Sequence, residues 1–181
     1  MMIRTATSIA LLALVFALPP AAYSAPSGAD AHDASRPADE ASLADVHAFN
    51  LQQIKLSELV LRRPASRDVQ AIADRLKREH LQNEQRLAAL GIKTKSSDAD
   101  RQFTSSLDDE YQKLEQMPPG DFEAAYLGKL TDRYARFQEE LTHRAPIAHS
   151  GAVRTYLSQT ARELHDQYSA LRSLQKAAIG Q

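Results

Sequence analysis

The chain has 181 residues, a formal net charge of −1, no Cys and no Trp. The missing thiols exclude thiolate catalysis, thiolate metal sites and redox switching, and they also exclude lipid attachment at a lipobox. The near-neutral balance offers no general pull on DNA, RNA or anionic lipid. Six Gly, with 25% of residues charged, is the composition of a helical, water-soluble domain.

The chain opens on an export leader. Arg4 supplies the positive charge, Ile9 to Leu18 is an uninterrupted apolar run, and Pro19-Pro20 breaks it. Ala22-Tyr23-Ser24 then places small residues at the two positions a signal peptidase reads. A membrane span needs roughly 20 apolar residues, so this run reads as a cleaved leader. Residues 1–24 form the predicted signal peptide, with cleavage after Ser24 and release into a bacterial periplasm.

Residues 25–41 (APSGADAHDASRPADEA) are small, polar and without period, and read as a disordered spacer. His32 lies there and is given no role. The predicted helical domain spans 42–178. Ser42 is expected to cap its first helix, with Asp45 three residues on. Phe49, Gln53, Leu56 and Val60 form its stripe, and Pro64 ends it.

Ser66 is expected to cap the second helix, with Asp68 favouring the dipole. Val69, Ile72, Ala73, Leu76, His80, Asn83, Leu87 and Leu90 keep helical period, and Gly91 stops the helix. Its other face, with Arg75, Lys77, Arg78, Gln82 and Arg86, reads as solvated.

A long connection over 92–121 follows, with a short helix whose stripe is Phe103, Leu107, Tyr111 and Leu114. Asp121 is expected to cap the third long helix, striped by Phe122, Tyr126, Leu130, Tyr134, Phe137 and Leu141. After a turn at Pro146 and Ser150-Gly151, the last helix turns Val153, Leu157, Ala161 (beside Leu164), Tyr168 and Leu171 inward. Two helical hairpins joined by one long crossover is the ferritin-like arrangement. The expected fold is therefore all-α, a ferritin-like four-helix bundle whose long crossover contains a short extra helix.

Three runs carry a family resemblance: DVQAIADRLKREHLQNEQRL, DFEAAYLGKLTDRYARFQEEL and RELHDQYSAL. They resemble the exported bacterial proteins grouped as domain of unknown function 4142, over about residues 45 to 175. The resemblance implies a ferritin-like helical bundle and brings no established activity. It also implies an inward Glu in the first helix and an inward His in each of the other three long helices. The second and fourth helices keep theirs as His80 and His165, whereas the other two positions hold Gln53 and Tyr134.

A di-iron centre needs a Glu from two helices and Glu-x-x-His from the other two. Three residues before His80 stands Lys77, and three before His165 stands Arg162, so cations replace the needed carboxylates. The lone Glu140-x-x-His143 reads as a solvated helix end. A single transition metal on His80 and His165, with Glu84 or Asp166, is the remaining cofactor candidate. The structural alternative is a polar core in which His80 bonds Tyr134, Gln53 or Asn83, and the neutral Gln53 favours it. No Gly-rich phosphate loop, G-x-S-x-G elbow or H-E-x-x-H occurs, and no basic stripe for nucleic acid.

The leading expectation is an uncharacterised periplasmic module without catalysis or cofactor. It would bind an unknown envelope partner or a small ligand, in envelope stress or storage. The alternative is a metal-binding ferritin relative using His80 and His165. Membrane-surface association is disfavoured by the charge, and no transmembrane segment remains after cleavage.

Overall fold

A computed structural model describes residues 28–91 and 108–179, with side chains of the first helix from Pro37 onward. Every element among these residues is helical. The long helices are α1 (Gly28–Arg62), α2 (Arg67–Ala89), α4 (Pro119–Arg144) and α5 (Gly151–Ile179). Residues 108–116 form a short helix, α3, and a 3-10 turn (Ala145–Ile147) separates α4 from α5. No helix among the described residues is long and apolar enough to cross a membrane. The leader at 1–24, with Phe103 and Leu107, lies outside the described residues.

The apolar stripes become the core. Phe49, Leu56, Val60, Val69, Leu76, Phe122, Tyr126, Leu130, Tyr134, Leu141, Val153, Leu157 and Leu171 are all buried in one cluster. Burying a large apolar side chain contributes about 1.5–3 kcal/mol, and this drives helices with weak intrinsic stability to pack. The turn chemistry works as expected at α2. The Ser66 hydroxyl accepts from the Val69 amide at 3.4 Å, and Gly91 adopts φ +67° just past the helix end.

Side-chain pairs fix the helix directions. Asn50 with His80 and Lys77 with Glu58 make α1 and α2 antiparallel. Arg144 with Asp45 at one end, and Arg63 over the Phe122 ring at the other, make α4 antiparallel to α1. Arg86 with Glu163, and Glu79 with Gln167, make α5 antiparallel to α2. Helices α2 and α4 therefore run the same way, and the start of α4 lies beside the start of α2, where Ser66 Oγ donates to Glu123 at 2.7 Å. The end of α2 and the start of α4 therefore lie at opposite ends of the α1–α2 hairpin.

Helix α3, just ahead of α4 in the chain, is seated between α1 and α4. Lys55 pairs with Asp108 at 2.5 Å, and Arg133, on α4, pairs with Glu110 at 2.6 Å. The Arg63 guanidinium donates to the Leu114, Glu115 and Met117 carbonyls. A cation there faces the negative end of the α3 dipole, so the C-terminal end of α3 is tied to α1.

Two expected caps are corrected. Helix α1 begins at Gly28 and runs through Pro37, across residues read as disordered spacer, so Ser42 lies inside it and donates to the Ala38 carbonyl at 3.0 Å. Local composition is overridden by a distant partner. Buried Asp39 accepts from the His149 and Ser150 amides at 3.1 and 2.8 Å, at the start of α5. Helix α4 is capped by Pro118 with Pro119 in the first turn, and Asp121 sits in that turn as a dipole partner. Replacing Asp39 by Ala leaves two amides without their acceptor and is expected to lower stability by about 1–3 kcal/mol. Urea unfolding reads this directly, and an unchanged midpoint would detach α1's first turns from the fold.

Candidate functional site

Helix α2 buries two polar residues on its apolar stripe, His80 and Asn83. Around them a hydrogen-bond chain runs from the surface into the core. His47 Nδ1 lies 2.7 Å from Glu84 Oε2, and Asn50 Nδ2 donates to Glu84 Oε1 at 2.7 Å. Asn50 Oδ1 is 2.8 Å from His80 Nδ1, and His80 Nε2 is 2.5 Å from the Tyr134 hydroxyl. A branch adds Asn83, which donates to Asn50 Oδ1 at 3.3 Å and accepts from the Tyr156 hydroxyl at 2.7 Å.

The Glu84 carboxylate sets the polarity of the whole chain. An ionised carboxylate only accepts, so the Asn50 amide nitrogen must face it and the amide oxygen must face His80. That oxygen requires a proton on His80 Nδ1. Nε2 is then bare, and the Tyr134 hydroxyl donates to it. His80 is thus neutral, with one tautomer dictated by its partners. Burial alone depresses its pKa to about 3, and burial first, then the neighbouring Tyr126 and Glu79, raises that of Tyr134 well above the usual phenol range. Phe49 walls the pair, 5.7 Å from the His80 ring and 5.3 Å from that of Tyr134.

Gln53 is buried on the same helix face as Phe49, but its Nε2 reaches Gln52 at 3.4 Å and no hydrogen bond joins it to His80. His165 is not brought to His80. It is exposed, on the outer side of α5, where it lines a groove between α4 and α5. The inward face of α5 runs instead through Leu157, Thr160, Leu164, Gln167 and Leu171, all buried. The expected His80–His165 metal pair is therefore corrected. Both His80 nitrogens are committed to Asn50 and Tyr134, and among the described residues no three His, Asp or Glu side chains gather as a metal set. Glu84 serves Asn50 and His47, Lys77 pairs with Glu58, and Glu140 pairs with Arg144 while His143 stays exposed.

Asn50 and Tyr156 are invisible to sequence reasoning. Asn50 follows Phe49 and falls beside the α1 stripe, while Tyr156 precedes Leu157 in the same way. The one available signal is Glu84, a carboxylate one turn from His80.

The groove between α4 and α5 has a volume of about 530 Å³. Gln138, Thr142, Ala145 and Pro146 line it on one side and Ser158, Ala161, Arg162 and His165 of α5 on the other. Asp166 touches it but also lines a second groove, between α2 and α5, beside Arg75 and Arg86.

These features define an all-helical protein of two hairpins sharing one core, with a polar chain at its centre. The chain belongs to the family described as Domain of unknown function (DUF4142), whose model matches residues 24–174. Neither the curated proteins nor the solved structures give a match.

Proposed function

We propose that this protein is an exported, non-catalytic binding module of the periplasm, built on a ferritin-like four-helix bundle whose centre serves structure. The leader at Arg4 to Ser24 supports export. The helix directions support the ferritin-like reading, because a connection returning along the hairpin is what separates that topology from a plain up-and-down bundle. The observation that carries the functional reading is the commitment of both His80 nitrogens. A metal could take His80 only by breaking the Tyr134 or Asn50 bond, and among the described residues no three His, Asp or Glu side chains gather to hold it.

Untagged protein recovered from the periplasm tests this. Its N-terminus is expected at Ala25, elemental mass spectrometry is expected to find no stoichiometric transition metal, and added zinc, copper or iron is expected to leave the unfolding temperature unchanged. A stoichiometric metal that disappears in His80→Leu would overturn the reading.

A further inference from the structure

We propose that Tyr134 is a reversible one-electron donor whose phenol proton passes to His80 Nε2 as the electron leaves for an oxidant at the protein surface. This function is separate from the binding-module reading and does not rest on it. With no Cys and no Trp in the chain, the phenols are the side chains that give up a single electron most readily. An oxidised phenol is a strong acid, so it forms readily only where a base already holds its proton. Tyr134 alone among the described tyrosines meets that condition, its hydroxyl 2.5 Å from the bare His80 Nε2. Tyr126, on the same helix and just as buried, has no base beside its hydroxyl. Tyr156 donates to the Asn83 amide oxygen, which is no base, and Tyr111 and Tyr168 accept from the cations Arg62 and Arg172.

The step balances within the pair. The oxidant gains one electron, the Tyr134 O–H bond breaks and an N–H bond forms at His80 Nε2, leaving a neutral phenoxyl beside an imidazolium. That imidazolium keeps its Nδ1 proton, which donates to Asn50 Oδ1 at 2.8 Å, and Asn50 in turn donates to the Glu84 carboxylate at 2.7 Å. Such a chain polarises toward the new positive charge. Of the other charges that act on Tyr134, Glu79 favours the cation, and Arg133, which opposes it, is paired with Glu110. Burial holds the imidazolium at a pKa of about 3, so it gives the proton back to the phenoxyl oxygen as the electron returns. Tyr134 and His80 are 0% and 1% exposed, so neither water nor a second radical reaches the phenoxyl. The electron needs no such contact, because it tunnels through packed side chains. Phe49 lies 5.3 Å from the Tyr134 ring and stacks on Phe137 at the edge of the core.

Oxidation of the mature protein by photogenerated tris(bipyridine)ruthenium(III), followed by freeze-trapping and electron paramagnetic resonance, tests the assignment. A neutral phenoxyl signal is expected to outlast those of Tyr111 and Tyr168, which lie nearer the surface. Ascorbate is expected to return the protein to its original mass. The lasting signal should vanish in Tyr134→Phe, which keeps the ring, and in His80→Gln, which keeps an acceptor but no base. Tyr126→Phe should retain it. Electron–nuclear double resonance on unaltered protein prepared in deuterium oxide is expected to show a deuteron hydrogen-bonded to the phenoxyl oxygen, a readout that stands whether or not His80→Gln folds. Absence of a lasting phenoxyl, its persistence in Tyr134→Phe or in folded His80→Gln, or a Tyr134 radical without that deuteron overturns the proposal.

Discussion

Acid is expected to destabilise this protein through His80, and His80→Leu is expected to flatten that response. In the unfolded chain the imidazole takes up a proton near its ordinary pKa of 6.5, whereas in the folded core it does so only at about 3. Between those values the unfolded state binds more protons, so stability falls as the pH falls. The full effect is of order 5 kcal/mol, since each pH unit separating the two values is worth about 1.4 kcal/mol. At neutral pH the substitution costs about 1–3 kcal/mol, because the Tyr134 hydroxyl loses its acceptor and Asn50 Oδ1 loses a donor. Near pH 3 to 4 the variant should therefore be the more stable protein. Carboxylates titrate in both proteins, so the difference between the two curves isolates His80. Urea midpoints measured from pH 3 to 7 would show the curves crossing. Parallel curves would mean that the imidazole is not held neutral by burial.

Truncating Phe49 to Ala should cost about 3–5 kcal/mol, the range for deleting a buried aromatic ring. The ring stacks on Phe137 at 4.3 Å with an interplanar angle of 13°, and its edges meet His80 and Tyr134. It is the apolar wall of the hydrogen-bonded pair, so its removal also opens the His80–Tyr134 bond to competing water. Thermal unfolding should drop by roughly 10 °C, taking about 2–4 °C per kcal/mol for a chain of this size. Phe49→Leu should recover most of the loss by refilling the space. A loss below about 1 kcal/mol for Phe49→Ala would show that the space collapses and that the aromatic cluster is not the centre of the core.

Much of the helix content is legible in the sequence because each long helix has one dominant apolar face, as in α4, where Phe122 to Leu141 keep strict period. Helix α5 shows where periodicity fails. A stripe through Ala161 and Tyr168 puts His165 near the inward side. The true inward face is rotated, because Thr160 and Gln167 occupy buried positions that their polarity disguises. Helix α1 buries more than one stripe, since it touches α2, α3 and α4 at once, and so Asn50 is hidden beside Phe49. The first turns of α1 escape for a third reason. Asp39 finds its partners 110 and 111 residues away, and no local pattern contains that contact.

The parallel course of α1 and α5 sets where the ends of the domain emerge. Asp39 lies against the first turn of α5, whereas Gln175 lies beside Gly128, near the start of α4 and so at the opposite pole. Helix α5 alone has 29 residues and spans about 44 Å. A linker from Asp39 to the far end of α5 would need at least about 13 extended residues to cover that distance. A partner carried at the far end of α5 would sit away from the α4–α5 turn, whereas Asp39 of α1 lies beside that turn. Reporters and surface anchors for this scaffold are therefore best carried beyond the last turns of α5, which leaves the α4–α5 turn unobstructed.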